Sequence, residues 1–181
     1  MAQALFGPIQ QLGYVVADLD ESVQRWTDHL GVGPWTVFRN VKLEGRYRGQ
    51  PTVVTMDVAL GYQGEMQIEL IEATNASSSP YRADDGTALK GLHHVAWMVD
   101  DLDASVAAAE ARGLKTVFTA GNEASRVAYM EAPGEEGHLY ELIESASTAE
   151  LLKQGILATR SWDGVSNPIT VFDFAAAGEQ A

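Results

Sequence analysis

The chain has 181 residues, of which 46% are hydrophobic and 20% are charged, as is ordinary for a globular protein with one core. Its formal net charge of −13 disfavours nonspecific binding to nucleic acid or to an anionic membrane, because the long-range electrostatic force is repulsive. The sequence contains no cysteine, so disulfides, thiolate metal ligands and thiol nucleophiles are excluded.

The start of the chain lacks the basic residues and the apolar core of a signal peptide. The longest apolar stretch, residues 53–60, contains Asp57 and is far too short to span a bilayer. The sequence therefore predicts a cytoplasmic protein that binds neither nucleic acid nor membrane.

An internal repeat organises the chain. Residues 12–23 align without gaps on residues 95–106, and residues 69–72 align on residues 141–144 in the same order. A short match arises easily by chance, but two matches in the same order indicate a duplication. The whole chain, residues 1–181, is predicted to be one domain built from two similar modules.

Each module begins with an apolar strand and continues into a helix. The opening strands are expected at 9–16 and 92–99. Asp18 is a suitable N-cap for the first helix, which Gly31 would end, and the second helix is expected from Leu102 to Arg112. Three further strands complete each module, at 36–40, 52–60 and 65–72 in the first and at 115–120, 125–131 and 138–144 in the second.

This order predicts an α+β fold in which a β-α-β-β-β unit occurs twice. Module 1 covers about 9–72, a linker 73–91, module 2 about 92–145, and a C-terminal extension 146–181. The extension is expected to contain a helix over 148–160, interrupted by Gly155, and then an irregular tail. The apolar residues of the tail would dock on the body or on a partner subunit, and residues 175–181 are expected to fray.

The repeat places four polar side chains at matching points. Gln11 and His94 occupy the same position of the two opening strands, and Glu69 and Glu141 the same position of the closing strands. Because strand side chains alternate between faces, the small residue two positions after Gln11 or His94 leaves room for a ligand. By the same alternation His93, Glu72 and Glu144 are predicted to lie off the ligand face. His93 is expected to be structural, and the two glutamates to be either structural or solvated.

Several motifs resemble the vicinal oxygen chelate superfamily, which includes glyoxalase I, methylmalonyl-CoA epimerase and the bleomycin-resistance proteins. They are the segment 91–96 (Gly-Leu-His-His-Val-Ala), the Asp-Leu-Asp turns at 18–20 and 101–103, and the segment 137–142 (Gly-His-Leu-Tyr-Glu-Leu). The resemblance covers about residues 9–145. It implies two paired modules that form a cup-shaped mixed sheet around a divalent metal, and a homodimer.

By position, the resemblance implies that Gln11, Glu69, His94 and Glu141 are the metal ligands. This set is similar to that of the glyoxalases that use glutamine, whereas methylmalonyl-CoA epimerases have His at the first position and Gln at the second. One imidazole and three oxygen donors suit Zn, Mn, Co or Ni, and the sequence does not decide among them.

The function implied is that of a metal-dependent isomerase, epimerase or lyase acting on a proton α to a carbonyl. Glu141 is the first candidate base, because the resembling glyoxalases use the corresponding ligand so, and Glu44 is the second. The glutathione-binding positions of glyoxalase I are not matched, since Val15 and Ala73 occupy them. The partner is therefore expected to be another small carbonyl compound, with an acyl-CoA as one candidate.

Two other functions remain open at this stage. A metal-free protein of the bleomycin-resistance type would bind a small molecule without catalysis, but it would not need four aligned ligands. An Fe(II) extradiol-type dioxygenase normally needs two histidines and one carboxylate, and Gln11 removes one of those histidines.

Overall fold

The computed structural model describes residues 4–135, 137–145 and 148–177. Its helices and strands follow the predicted order, with one additional strand and one short helix near the C-terminus. They are β1 (Gln11–Val15), α1 (Leu19–Leu30), β2 (Trp35–Tyr47), β3 (Gln50–Gln63), β4 (Met66–Ala73), β5 (Gly91–Met98), α2 (Leu102–Glu110), β6 (Lys115–Gly121), β7 (Arg126–Glu131), β8 (Leu139–Glu144), α3 (Thr148–Ser161), β9 (Ile169–Asp173) and α4 (Phe174–Ala177).

The strands form one mixed sheet in the order β3-β4-β1-β5-β8-β7-β6-β2-β9. A pairing between β2 and β3 joins the two ends of the series β1 to β8 and closes it into a ring. Within each module the first and last strands are parallel neighbours, β1 with β4 and β5 with β8. The fold is α+β, with the curved mixed sheet that the sequence predicts.

Helices α1 and α2 each follow the opening strand of their module and are capped in the same way. Asp18 accepts a hydrogen bond from the backbone N–H of Glu21, and Asp101 accepts one from Ala104. A glutamate from the last strand caps the first turn from the other side: Glu72 accepts from Leu19 N–H at 2.8 Å, and its repeat counterpart Glu144 caps α2 in the same manner at 2.6 Å. The structural role predicted for Glu72 and Glu144 is confirmed.

The alternation of side chains along the strands separates two faces of the sheet. On the outer face Leu19 and Val23 of α1 pack against Ile68 and Leu70. A similar cluster lies under α2. The inner face carries a third cluster, which includes Val15 and encloses the space into which the four predicted ligands project. Helices α1 and α2 thus cover the outside of the sheet and leave its inside for the site.

The C-terminal extension differs from its prediction. The predicted helix is present as α3, but it continues through Gly155 without the predicted interruption. The predicted irregular tail is wrong for 169–173, which form β9 parallel to the start of β2. Phe172 of β9 stacks on Phe38 with 5.6 Å between ring centroids, so this part docks on the body through a ring contact as well as through backbone hydrogen bonds, while Val171 is 56% exposed. Residues 175–177 belong to α4 and not to a frayed end, and 178–181 lie outside the described residues. None of the described helices is both long and apolar enough to cross a membrane.

Candidate metal centre

Strand register brings the four predicted ligands together. Gln11 of β1 lies opposite Ala96 of β5, and Ala96 lies opposite Glu141 of β8. One row further along the same strands, Gly13 lies between Glu69 of β4 and His94 of β5. The four donors therefore alternate between neighbouring strands and neighbouring rows of the sheet, and the small residues Ala96 and Gly13 lie between them.

The donor atoms converge on the Nε2 atom of His94. The distance from Nε2 is 2.9 Å to Glu141 Oε2, 3.2 Å to Glu69 Oε2 and 3.2 Å to Gln11 Oε1. Gln11, His94 and Glu141 are buried, and the side chain of Glu69 is 15% exposed. One nitrogen therefore faces three oxygens in a space that water hardly reaches.

This arrangement fits a divalent metal ion better than it fits a hydrogen-bonded core. A single Nε2–H satisfies at most one of three oxygens, and both carboxylate Oε2 atoms are buried without a hydrogen-bond partner. Metal–ligand bonds of about 2.0–2.2 Å at right angles put neighbouring donor atoms about 3 Å apart. The observed separations of 2.9–3.2 Å match that spacing, and the donor atoms of Glu69, His94 and Glu141 lie within 4.8 Å of one another.

Electrostatics show how the group behaves without a metal. Burial lowers the pKa of His94, but the negative charges of Glu141 and Glu69, 2.9 and 3.2 Å from its Nε2, outweigh burial and raise the pKa to about 10. Burial raises the pKa of Glu69, and His94 partly opposes this rise. A proton on His94 thus stands in for the positive charge that a metal would supply.

His93 joins this cluster, against the prediction that it points to the opposite face. Between Gly13 and Tyr14 of β1 the pairing with β5 shifts by one residue, which leaves His93 as the extra residue of a β-bulge. The bulge interrupts the alternation, so His93 and His94 both turn inward and their Nδ1 atoms lie 2.9 Å apart. Strict alternation could not have found this residue, because it assumes an uninterrupted ladder.

The hydrogen bonds of His93 determine which nitrogen of His94 is available. The carbonyl oxygen of Pro80 lies 2.8 Å from His93 Nε2 and can only accept, so Nε2 is the donor. Burial lowers the pKa of His93 to about 3, so the ring is neutral and its Nδ1 accepts from Nδ1–H of His94. When His94 is neutral, its Nε2 lone pair therefore faces the oxygens of the site. Metal-binding histidines typically have a hydrogen-bond acceptor for the ring N–H that does not face the metal, and His93 Nδ1 is that acceptor here.

Gln67 orients Gln11 from the other side. The amide nitrogen of Gln11 donates to Gln67 Oε1 at 2.8 Å, and Gln67 in turn donates to the hydroxyl of Tyr62 at 2.6 Å. These bonds use the Nε2 end of Gln11 and turn its Oε1 toward His94. Sequence reasoning missed Gln67, although its position two residues before Glu69 places it on the ligand face.

The sequence suggests that Gly13, two residues after Gln11, leaves room for a bound ligand. In the structure the space beside Gly13 is filled by the imidazole ring of His94. A Cβ atom added to Gly13 would lie 1.9 Å from Cε1 of His94, a distance that no side chain tolerates. Gly13 therefore makes the space in which the ring of the other module lies.

Two buried tyrosines complete the polar end of the site. Tyr81 comes from the linker and Tyr129 from β7, and their hydroxyl oxygens lie 3.1 Å apart. Burial and the charge of Glu141 raise the pKa of both phenols well above the usual value, so both stay protonated. Tyr81 is 1% exposed in a segment whose composition predicts only a loop. Nothing in the local sequence pattern identifies it as part of the site.

The structure does not bring Glu44, the second candidate base, to this group. Leu43 faces the inner cavity, so its neighbour Glu44 faces outward, and its side chain is 67% exposed. It pairs with Lys42 at 2.6 Å, and the hydrogen bond and charge of that lysine lower the pKa of Glu44. An exposed carboxylate of lowered pKa on the outer face has no access to a substrate inside.

A cavity of about 260 Å³ opens directly above the donors. Gln11, Glu69 and Glu141 lie at its base, together with Gln67 and both buried tyrosines. Residues of α3 and α4 also line it, so the C-terminal extension forms part of its wall.

The model of the glyoxalase/bleomycin resistance protein/dioxygenase superfamily matches residues 10–129. The chain belongs to this superfamily. The matched span includes three of the four predicted ligands, Gln11, Glu69 and His94, and ends before Glu141. No curated protein matches the sequence.

Solved structures share the fold at low sequence identity. Methylmalonyl-CoA epimerase from Mycobacterium tuberculosis superposes with a TM-score of 0.54 at 23% identity, covering 83% of this chain and 96% of its own. A hypothetical protein from Bacillus halodurans gives 0.52 at 20%, covering 76% and 94%. A single-residue variant of Streptomyces coelicolor methylmalonyl-CoA epimerase, in complex with 2-nitronate-propionyl-CoA, gives 0.50 at 21%, covering 77% and 95%. These similarities establish the fold.

Proposed function

We propose that the protein is a divalent-metal-dependent enzyme that removes and returns a proton α to a carbonyl group. The observation that carries the proposal is the convergence of Gln11, Glu69, His94 and Glu141, with two buried carboxylate oxygens that have no hydrogen-bond partner. A protonated His94 neutralises only one of these two buried carboxylates, so the group is costly unless a divalent cation joins them. The cavity above them gives a small molecule access to the same point.

The four side chains would hold the ion through Gln11 Oε1, Glu69 Oε2, His94 Nε2 and Glu141 Oε2. When bound, a divalent ion such as Zn, Mn, Co or Ni withdraws electron density from a carbonyl oxygen and makes the adjacent C–H more acidic. His93 and Gln67 keep the donor atoms of His94 and Gln11 aimed at that point through their hydrogen bonds.

Glu141 is the proposed base. Its carboxylate would take the proton from the α-carbon, the C–H electron pair would move into the carbonyl group, and the same or the opposite face of the carbon would then be reprotonated. Glu69, as a ligand of the ion, would stay a carboxylate. The proton that Glu141 takes up would therefore be returned to the carbon by Glu141 itself or exchanged with solvent.

The substrate is a carbonyl compound that enters the inner cavity. An acyl-CoA belongs to the candidates, because a fold neighbour is solved in complex with an acyl-CoA analogue. A two-histidine iron centre is disfavoured, because the second histidine nearby, His93, uses both ring nitrogens for hydrogen bonds to His94 and Pro80. A metal-free protein that only binds a small molecule is disfavoured, because the buried Oε2 atoms of Glu69 and Glu141 would then have no divalent ion to bind.

The test is α-proton exchange in deuterated water, followed by NMR. Protein loaded with zinc or manganese is incubated with a panel of ketones and acyl thioesters, and incorporation of deuterium at the α-carbon is measured. We expect metal-dependent exchange with at least one compound. Glu141→Gln keeps an oxygen donor but loses the base, so exchange should fall by about a hundredfold or more while bound metal is retained.

Glu44→Gln is the matched control, since it makes the same chemical change at the other glutamate that the sequence suggests. It should leave exchange unchanged, because Glu44 lies outside the cavity. Full exchange activity in Glu141→Gln, or no exchange with any compound by metal-loaded protein, would contradict the proposed function.

A further inference from the structure

We infer that the natural ligand of the inner cavity is a small, uncharged carbonyl compound with a hydrocarbon body, and that the C-terminal extension selects it. The inference rests on the proposed function for the carbonyl group, which the metal centre would bind. The uncharged hydrocarbon body follows independently from the walls of the cavity.

Above the polar base, the cavity is lined mainly by apolar side chains, with Asn122, Ser125 and Ser145 as uncharged polar residues among them. These apolar side chains come from strands β2, β3 and β4 on one side and from β7 and β8 on the other, and all project from the inner face of the closed sheet. The first group consists of Phe38, Leu43, Met56, Val58, Leu60 and Ile71. A ligand that reaches the donors must lay the rest of its surface against these side chains, and burial of apolar surface favours a hydrocarbon there.

The cavity offers no cation to an acidic ligand. Among the described residues that line it, none is a lysine or an arginine, and the two charged ones, Glu69 and Glu141, are both acidic. In a metal-loaded site these two carboxylates neutralise a divalent ion, so no net positive charge is added. A carboxylate or phosphate placed against the walls would be buried without a partner, which is strongly unfavourable.

The nearby basic side chains are engaged elsewhere. Arg39 is paired with Asp57 at 2.8 Å, and Arg126 with Asp103 at 2.6 Å, both away from the cavity lining. Arg82 donates to the backbone oxygen of Asn75. The absence of a basic wall is thus a property of the fold's interior and not of the composition alone.

The size of the cavity points to a small ligand. Its volume of about 260 Å³ lies just below the range of roughly 300–1,000 Å³ that holds drug-sized molecules. A compound of about a dozen non-hydrogen atoms fits this space, whereas the whole of a coenzyme A thioester does not. A malonyl-type group carries a free carboxylate in addition and would lack a partner for it.

The C-terminal extension supplies the side of the cavity that the two modules leave open. Leu151 and Leu152 of α3 and Phe174 of α4 line it, and the Phe174 ring stacks on Phe38 with 6.3 Å between centroids. Leu151 is 54% exposed, so it lies at the mouth and contacts both the cavity and solvent. A substitution there changes the chemistry of the entrance without burying a charge in the core.

The experiment compares two probes that differ in charge and hardly in shape. 4-Isopropylpropiophenone and 4-propionylbenzoate share the ketone, the ring and a branched three-atom substituent, which is a hydrocarbon in one and a carboxylate in the other. Their dissociation constants for zinc-loaded protein are measured by calorimetry, together with that of the smaller propiophenone. We expect both neutral ketones to bind and the benzoate to bind at least about a hundredfold more weakly than its isopropyl counterpart.

A pair of leucine variants ties the preference to the extension. Leu151→Arg adds a positive charge at the mouth, whereas Leu157→Arg adds the same charge on the same helix at a leucine of similar exposure, 53%, outside the cavity lining. Leu151→Arg should reduce the ratio of the benzoate's dissociation constant to that of the isopropyl ketone by about threefold to tenfold. Leu157→Arg should leave this ratio unchanged.

The inference would be overturned if the benzoate or methylmalonyl-CoA bound as tightly as the neutral ketones or more tightly. It would also be overturned if neither neutral ketone bound. An identical response of the two arginine variants would remove the role of the extension. Binding is measured here at equilibrium and the proposed function by deuterium exchange. Ketones that bind without exchanging a proton would therefore refute the catalytic proposal alone.

Discussion

The two modules of the chain share one plan but secure their ligands differently. Gln11 and His94 occupy equivalent positions, yet Gln11 is held by an amide from its own module, Gln67, whereas His94 depends on a bulge residue, His93. His94 also needs space from the first module, because its ring lies where a side chain at position 13 would be. The two repeats therefore share the positions of the donors and differ in the residues that orient them.

The modules also differ in the lengths of their middle strands. β2 and β3 have 13 and 14 residues, while β6 and β7 have 7 and 6. The long β2 pairs with β3 along most of its length, with β6 at one end and with β9 at the other. The first module thus builds most of the cavity wall and carries the extension, and the second contributes the imidazole.

The largest loss of zinc affinity is expected when His94 of the second module is replaced by glutamine, the residue at the equivalent position of the first module. His94→Gln replaces an imidazole by an amide oxygen, a weaker ligand for zinc, cobalt or nickel. Zinc affinity, measured by competition with a fluorescent chelator, should fall by more than about a hundredfold, beyond the range for residues that only orient a ligand. Unaltered affinity in a folded variant would mean that the donors do not bind metal.

A smaller loss is expected from the glycine that makes room for the other module's ring. The Cβ of Gly13→Ala would lie 1.9 Å from His94, so the ring must move and zinc affinity should drop about tenfold to a hundredfold. The free energy of unfolding should also fall, by about 1–3 kcal/mol. Ala96→Gly is the control at the other small position. It removes a methyl group, so it should cost some stability in chemical denaturation and leave zinc affinity nearly intact.

The two orienting residues allow the modules to be compared directly. His93→Phe removes the acceptor for His94 Nδ1–H, and Gln67→Leu removes the partner of the Gln11 amide. Each should weaken zinc binding about tenfold, with the larger loss for His93 because the stronger ligand loses its orientation. The reverse order, again from chelator competition, would show that Gln11 is the ligand more dependent on its partner.

The smallest effect is expected from Gly155 in α3. A Cβ there would lie 2.1 Å from the ring of Tyr62, whose hydroxyl accepts from Gln67. Gly155→Ala should displace Tyr62 and reduce zinc affinity a few-fold, although alanine favours a helix by about 1 kcal/mol. Tyr62→Phe is the companion variant, since it removes the hydroxyl without crowding. If zinc affinity were unchanged in both Gly155→Ala and Tyr62→Phe, the C-terminal extension would have no influence on the metal site.

Sequence alone predicted the order of the strands and helices, because the repeat doubles the signals of the opening strands, the helices and the closing strands, but it predicted β2 only over 36–40, whereas β2 continues to Tyr47. Asp18 and Gly31 mark the ends of α1 where the structure has them, and the matched positions identified the four donors that the register now brings together. Their role as metal ligands, the division into modules, the homodimer and the cytoplasmic location stay predictions.

What the sequence could not predict depends on departures from regular periodicity or on contacts between distant segments. The bulge that turns His93 inward breaks the two-residue alternation on which the prediction relied. Tyr81 is placed by the fold of a loop, and β9 by a pairing with β2 more than a hundred residues away. Gly155 looks like a weak point of a helix until Tyr62 is seen beside it.

Closure of the sheet within one chain has a consequence for assembly. All four donors and the wall above them come from a single polypeptide, so no second copy has to lend a residue to complete the centre. Each subunit would then take up one ion and one ligand whether it is alone or paired. Dilution should therefore abolish neither, which zinc binding measured over a range of protein concentrations would check.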